Sequence, residues 1–229
     1  MKPGRSGLEV ELVFTRVAAA CAAVLVLLVL ATPAGAQENP YSLAVGGALV
    51  GPLSDSADRF STGFGFTAGL TWRVNEQLGV TGDYTWSTLG VHDDWNGLVS
   101  TRPVDVTPRI QFGTVGLRFQ APPARVRLHV LAGIGLYHRS VAMTTTGSGD
   151  LAVCDPWWFV CTAGPVPVGS VNRTHSSTDP GFNVGAGITA GRFFAEIRYH
   201  FMWGPSFDTP DGTQEATGKF LPLTVGVVF

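Results

Sequence analysis

Apolar and polar residues alternate with a period of two over eight segments of the chain. In the second segment, for example, Phe64, Phe66, Ala68 and Leu70 are separated by glycine and threonine. Successive side chains of a strand point to opposite faces, so this alternation predicts strands with one apolar and one polar face. The predicted strands are 41–51, 63–74, 78–88, 109–120, 126–140, 181–191, 193–203 and 219–229.

The connections between these strands alternate between long and short. Three are short, at residues 75–77, 121–125 and 191–192, and four are long, at 52–62, 90–108, 141–180 and 204–218. Antiparallel strands place alternate connections at opposite ends of a sheet. Short turns at one end and long loops at the other are typical of barrels in bacterial outer membranes.

The apolar faces carry aromatic residues towards both strand ends and aliphatic residues between them. The lumenal charges described below fall on the opposite faces, and an unpaired charge in lipid is costly. This arrangement predicts an all-β fold, an eight-stranded antiparallel transmembrane β-barrel surrounded by outer-membrane lipids. A soluble sandwich or lipocalin-like barrel is the alternative, with the apolar face inside. The two aromatic girdles consist of Tyr41, Trp72, Phe119, Phe193 and Phe229, and of Phe64, Trp86, Phe182, Phe201 and Trp203.

The N-terminal segment has the three parts of a secretory signal peptide. Lys2, Arg5 and Arg16 are basic, residues 17–31 form an unbroken apolar run, and residues 34–36 read Ala-Gly-Ala. The run is shorter than the roughly 20 residues of a membrane-spanning helix. We therefore expect a cleaved signal peptide at residues 1–36 and an exported barrel domain at residues 37–229.

The charge balance argues against nucleic-acid binding. Lysine and arginine total 15 residues against 17 of aspartate and glutamate, and the net charge is −2. Lys2 and Lys219 are the only lysines, so the chain lacks a polybasic surface. Charged residues make up 14% of the chain, against roughly 25% in an average soluble domain. We therefore expect no nucleic-acid partner, and a surface that largely avoids water.

The last ten residues, 220–229, read FLPLTVGVVF, with alternating apolar residues and a terminal aromatic. This segment resembles the last strand of small outer-membrane β-barrels, the OmpA/OmpX-like outer membrane protein β-barrel domains. The resemblance implies a location in the bacterial outer membrane. It also implies that Phe229 is part of the signal read by the barrel assembly machinery.

The polar faces carry charges that the barrel would turn inwards. An eight-stranded barrel is just wide enough for side chains to fill it, and buried charges need partners. We therefore expect a network of ion pairs and hydrogen bonds in the lumen; a gated, narrow conduit is the alternative. The residues concerned are Arg73, Asp83, Arg118, Arg127, His129, Glu196, Arg198 and His200.

The longest loop contains two cysteines around a run of aromatics. Cys154 and Cys161 are the only cysteines after residue 36, so in an exported chain they are expected to form a disulfide. Between them lie Trp157, Trp158 and Phe159. Exposed aromatics at a loop tip indicate a contact surface for an as yet unknown ligand. Alternatively, these rings fold back onto the barrel rim.

A His-x-Ser pair, His138 and Ser140, is shared with lipid A-modifying barrel enzymes, and His175 and Ser177 have the same spacing. Nucleophilic catalysis also needs a group that orients the histidine, and no acid matches on that face. We expect no catalytic, cofactor-binding or metal site, and enzyme activity is a remote alternative. The sequence favours a non-enzymatic surface barrel for interaction, adhesion or envelope integrity. The alternative is an OmpW-like conduit for small or hydrophobic molecules.

Overall fold

The computed structural model describes the strands and most of the connections of residues 40–229. The predicted signal peptide, residues 1–36, lies outside the described residues. In the described part, no helix is long and apolar enough to cross a membrane. The described residues are 40–92, 104–122, 125–145, 149–154, 157, 161–166, 171–209 and 212–229.

Eight long strands close into an antiparallel barrel, which confirms the predicted fold class. Each strand pairs with its neighbour in the chain, apart from small hairpins inserted into two connections, and the first strand closes the barrel against the last. The barrel strands are β1 (Tyr41–Pro52), β2 (Phe60–Arg73), β3 (Leu78–Val91), β4 (Val104–Gln120), β5 (Val126–Thr145), β8 (Val171–Ala190), β9 (Phe193–Met202) and β12 (Gly218–Val228). The inserted hairpins are β6 (Gly149–Cys154) with β7 (Cys161–Val166), and β10 (Ser206–Thr209) with β11 (Gly212–Glu215).

The alternation of each strand sets the two faces of the barrel wall. On β5, the outward Ile134 and Leu136 are 72% and 61% exposed, whereas the inward Leu131 and Tyr137 are buried. Apolar surface left in water costs about 25 cal/mol per Å². A continuous outward band of such side chains is therefore stable only against lipid.

One end of the barrel, which we call the turn end, carries the short connections. The β2–β3 turn is held by the Asn75 side chain, whose Oδ1 accepts hydrogen bonds from the backbone N–H groups of Gln77 and Leu78, at 2.9 and 2.7 Å. The two-residue β8–β9 turn needs a left-handed residue, which Gly191 supplies with φ of 59°. We call the opposite end, which carries the long connections, the loop end.

The strands at the loop end are longer than predicted. β4 begins at Val104, β5 continues to Thr145, and β8 starts at Val171, so the predicted loops 90–108 and 141–180 are partly strand. These extensions contain many β-branched residues, which favour strands. They lack the strict alternation of the other strand segments, and the sequence pattern therefore did not mark them.

The extended parts of β4, β5 and β8 form a sheet that we call the projecting wall. β5 and β8 have 20 residues each, whereas β9 has 10, so they continue about 30 Å further along the strand direction. The outward residues change from apolar to polar between Leu136 and His138. The wall therefore begins near the edge of the bilayer and rises above it.

Candidate functional site

The turn-end half of the lumen contains a network of buried charges. Arg198 Nη1 donates to Asp83 Oδ2 at 2.8 Å, and Arg198 Nε donates to Glu196 Oε1. The other oxygen of Glu196, Oε2, lies 2.9 Å from His129 Nε2. Arg118 Nη2 lies 3.0 Å from His129 Nδ1. We call these five residues the lumenal network.

The hydrogen-bond roles fix the charge of the lumenal network. A carboxylate only accepts, so Nε2 of His129 carries the proton that is donated to Glu196, and Nδ1 accepts from Arg118. We therefore assign a neutral imidazole to His129. Two carboxylates then balance two guanidinium groups, which is what a buried cluster requires for stability.

Glycines on neighbouring strands make room for these long side chains. Gly187 lies opposite His129 in the β5–β8 ladder, and a Cβ added there would be 2.5 Å from His129 Nε2. Gly185 lies opposite Arg198, and its Cβ would be 2.7 Å from Arg198 Cγ. At these positions the space of the missing side chain is taken by a neighbour's long polar side chain.

Three residues predicted for the network take other positions. Arg73 and Arg127 lie half-buried near the turn end of β2 and β5. His200 is fully buried, but its Nδ1 pairs with the hydroxyl of Tyr137 at 2.8 Å. Its ring also lies 4.5 Å from that of Phe112, so His200 belongs to an aromatic cluster.

The loop-end half of the lumen is filled with apolar side chains, which the sequence analysis did not predict. Most of the strand residues among them have the parity of the lumenal positions of their strand. Phe60 is the exception, because the register of β2 shifts between Ser61 and Phe64. We call this set the loop-end core. It consists of Ala48, Val50, Phe60, Leu89, Ile110, Phe112, Tyr137, Val141, Trp157, Met202 and Phe220.

Trp157 enters the loop-end core from the long third loop and is only 2% exposed. Its ring centroid lies 4.3 Å from that of Phe60, and its Nε1–H donates to the carbonyl of Ser140 at 3.4 Å. The expectation of an exposed tip is therefore wrong for Trp157. Burial in this pocket removes more of the indole's apolar surface from water than a position at an exposed tip would. This difference favours the alternative, in which the ring folds back onto the barrel rim. Trp158 and Phe159 lie outside the described residues.

Next to Trp157, a buried ion pair joins β5 to β8. Arg139 Nε and Nη2 donate to Asp179 Oδ2 at 3.0 and 2.6 Å, and Arg139 Nη1 donates to the carbonyl of Ala216 at 2.8 Å. Ser177 Oγ donates to the same Asp179 oxygen at 2.6 Å. The sequence analysis missed this pair, although Arg139 has the same parity as His129. Only the strand register brings Asp179 beside it.

A second buried arginine lies at the loop end, before β2. Arg59 Nε donates to the backbone carbonyl of Asp55 at 2.9 Å. Burial lowers the pKa of the Arg59 guanidinium to about 10, and the nearby charge of Asp55 partly opposes this shift. Arg59 is therefore still charged at neutral pH.

The candidate catalytic pair has a different environment from the one that nucleophilic catalysis requires. His138 Nδ1 lies 2.9 Å from Thr178 Oγ1 across the β5–β8 ladder, and the Ser140 carbonyl accepts from Trp157. The nearest carboxylate on β8, that of Asp179, bonds to Arg139. Within the described ranges, no group of three or more His, Cys, Asp or Glu residues could hold a metal ion.

The remaining predicted sites are only partly visible. The backbones of Cys154 and Cys161 are directly opposite in the β6–β7 hairpin, and their disulfide stays a prediction. Phe229, the predicted assembly signal, is 45% exposed.

Comparison with known proteins identifies the family. The family model of the outer membrane protein β-barrel domain matches residues 22–191. No curated protein matches the chain. Solved structures similar to it include Ail, the attachment invasion locus protein of Yersinia pestis, and Neisserial surface protein A. Ail is 16% identical, over 82% of this chain and 97% of Ail, with a TM-score of 0.45. The Neisserial protein is 13% identical, over 83% of this chain and 96% of the Neisserial chain, with a TM-score of 0.44.

Another similar structure is the outer membrane protease OmpT of Escherichia coli. Its sequence is 9% identical over 86% of this chain and 98% of OmpT, with a TM-score of 0.38. The family match covers most of the barrel, up to the β8–β9 turn. The chain therefore belongs to the outer membrane protein β-barrel domain family and is a protein of the bacterial outer membrane.

Proposed function

We propose that this protein is a closed, non-enzymatic surface barrel that contacts a partner outside the cell through its loop end. The observation that carries the proposal is the filling of the lumen. The lumenal network occupies the turn-end half and the loop-end core occupies the other half. The outer surface of the loop end is then the part of the barrel that can reach a partner outside the cell.

The filled lumen argues against the alternative of a narrow conduit. A conducting path needs water or mobile groups along the whole barrel. Here Tyr137, Met202 and Phe220 are each no more than 1% exposed, and they lie in one contiguous apolar cluster. An ion crossing this cluster would lose its hydration, and the buried charges beside the cluster, Arg139 and Asp179, are already paired with each other, so the crossing is costly.

The projecting wall supports a role in surface interaction. Its outward face carries exposed polar residues, among them Thr107, Arg109, Ser176 and Thr178. The rigid strands hold these groups in fixed positions above the bilayer, which reduces the entropy lost on binding. The partner is a molecule outside the cell, and binding to matrix proteins, lipopolysaccharide and phage identifies its chemical class.

Non-enzymatic function is supported by the surroundings of His138 and Ser140. Catalysis by such a pair requires a third group that orients the histidine. Asp179 is the carboxylate nearest in the ladder, and it is held by Arg139 at 2.6 Å.

For assembly, we propose that Phe229 is read by the barrel assembly machinery. Deleting it should lower the yield of inserted barrel.

Conductance in planar bilayers tests whether the lumen is closed. We expect the purified barrel to insert without producing discrete current steps. Regular conductance steps from the folded, heat-modifiable protein would contradict the proposal and favour the conduit.

Binding of whole cells to a panel of matrix proteins, lipopolysaccharide and phage tests the projecting wall. We expect Arg109→Glu combined with Thr178→Glu to reduce binding to at least one surface that the wild type binds. The matched control is Arg125→Glu combined with Arg192→Glu, two exposed turn-end residues, and should bind like the wild type. Equal binding of all three proteins to every surface would remove the support for a role of the wall.

A further inference from the structure

We propose that the turn end of the lumen holds a binding site for a small oxyanion such as phosphate. Three donors belong to it: the Arg118 guanidinium, the Arg127 guanidinium and the Thr189 hydroxyl. They lie on the neighbouring strands β4, β5 and β8. Arg118 uses Nη2 in the lumenal network, whereas its Nε, the Arg127 guanidinium and the Thr189 hydroxyl are used neither there nor in the proposed surface role.

Two of these donors are buried without a hydrogen-bond partner. Arg118 is 8% exposed and Thr189 is 6% exposed, and neither Arg118 Nε nor Thr189 Oγ1 has a partner. Buried polar groups in folded proteins nearly always have a partner, either in the protein, in water or in a ligand. Two such groups at one end of the lumen therefore indicate a bound species.

The strand register brings Arg127 to the same place. Arg127 lies directly opposite Thr189 in the β5–β8 ladder. It is also two residues from His129 on the same face of β5, and His129 contacts Arg118 at 3.0 Å. Arg127 therefore lies at the same end of the lumen as Arg118 and Thr189, on the strand between theirs.

The charge of this region favours an anion. The lumenal network already balances its own two carboxylates and two guanidinium groups. Arg127 has no ion pair among the described residues. An added anion would compensate Arg127 and accept from Arg118 and Thr189.

The donor set selects the chemical class of ligand. Guanidinium groups match the planar pairs of oxygens presented by phosphate or sulfate, and a hydroxyl donates to a further oxygen. Arg127 is partly exposed, so the site is open to the solvent at the turn end. The phosphate group could belong to a free ion or to the headgroup of a lipid.

Titration with inorganic phosphate tests the site in the folded barrel in nonionic detergent without phospholipid. A ligand that binds the folded state raises the midpoint of unfolding in urea in a saturable way. We expect this rise with sodium phosphate, together with broadening of the phosphate signal in ³¹P NMR, and no comparable rise with sodium chloride at equal ionic strength.

Four variants give the result its specificity. We expect Arg127→Gln to weaken the apparent affinity at least tenfold, Thr189→Val to weaken it several-fold, and Arg127→Lys to retain part of it. Arg192→Gln removes an exposed charge from the turn end and should leave the affinity unchanged. If Arg127→Gln does not fold, Arg127→Lys and Thr189→Val still test the site.

The outcomes separate the possible occupants. A wild type that responds alike to phosphate and chloride, or an Arg127→Gln barrel that responds like the wild type, would overturn the proposal and leave water as the partner of these donors. In nanodiscs containing phosphatidylglycerol, an unchanged phosphate response assigns the site to the free ion. If the wild type loses its phosphate response in these nanodiscs, and the lipid stabilises the wild type but not Arg127→Gln, the site is assigned to a lipid headgroup.

Discussion

The two halves of the lumen are filled in different ways. In the turn-end half, long charged side chains reach across the barrel and meet each other, with glycines opposite two of them. In the loop-end half, aromatic and aliphatic side chains pack against each other, and one of them, Trp157, comes from a loop. Both halves have the same wall of alternating strands, so the wall does not decide how the interior is filled.

This difference separates two requirements on the sequence. The turn-end half needs complete pairing, because one missing partner leaves a buried charge. The loop-end half needs the right volume, because a void forfeits packing contacts. We therefore expect the largest effects from charge substitutions in the five-residue lumenal network, while the loop-end half has a single ion pair between described residues, Arg139–Asp179. Size substitutions should show how each half tolerates a change of volume.

The largest effect is expected for Glu196→Ala. Glu196 accepts from both Arg198 and His129, so its loss leaves buried positive charge without a counterion. Breaking a buried pair in this way costs about 3–5 kcal/mol. The free energy of unfolding can be measured by urea titration of the barrel in lipid vesicles. The control, Glu76→Ala in an exposed turn, should change it little, and an equally small change for Glu196→Ala would show that the network is solvated.

A smaller effect is expected for Gly187→Ala, which tests the space opposite His129. The new Cβ would lie 2.5 Å from His129 Nε2 and 2.6 Å from the backbone oxygen of Ala195. Overpacking of this kind costs about 1–3 kcal/mol. Gly113→Ala is the matched control, since nothing lies within 4 Å of its added Cβ. Equal unfolding midpoints for the two variants would mean that the glycines do not make room for the network.

The wall of the barrel could be predicted from the sequence, because lipid on one side and a filled lumen on the other impose strict alternation. The lumenal positions of Arg118, His129, Glu196 and Arg198 follow from the same parity. Their contacts do not, since they depend on the register of strands far apart in the chain. Glu196 and His129 are 67 residues apart and still meet at 2.9 Å.

The loop-end half was harder to predict because its pattern is mixed. Phe112 and Phe220 face the lumen but are apolar, so they do not stand out from outward residues by composition. Trp157 could not be placed at all, because a loop residue has no strand parity to indicate its direction. Its position depends on contacts with three separate strands, through Phe60, Ser140 and Phe220.

A still smaller effect on barrel stability is expected for Trp157→Ala. Trp157 joins the third loop to the barrel. Truncation of a buried tryptophan costs about 3–5 kcal/mol when it belongs to the cooperative core. We expect Trp157→Ala to lower the free energy of unfolding of the barrel by less than that, because a loop can open locally while the strands stay paired. In limited proteolysis of intact cells, we instead expect the Trp157→Ala variant to be cut within residues 146–170 much faster than the wild type.

Trp157→Phe is the control for this effect. Phenylalanine keeps the ring contact with Phe60 but loses the N–H donated to Ser140, so proteolysis should be only slightly faster than in the wild type. Equal cleavage rates in the wild type and Trp157→Ala would show that the indole does not anchor the loop.

The smallest effect on the barrel is expected from the cysteine pair. Cys154 and Cys161 are opposite each other in the β6–β7 hairpin, and the ring that they would close is short. Closing a short loop removes little entropy from the unfolded chain, and this hairpin can open without disturbing the barrel strands. Changing both residues to serine should therefore leave insertion and the heat-modifiable migration on gels unchanged.

The bond itself is tested by proteolysis of the hairpin with and without reductant. Reductant should speed cleavage of the wild type and have no effect on the double-serine variant. If reductant leaves the wild type unchanged as well, the two cysteines are not joined, and the hairpin is held by its backbone ladder alone.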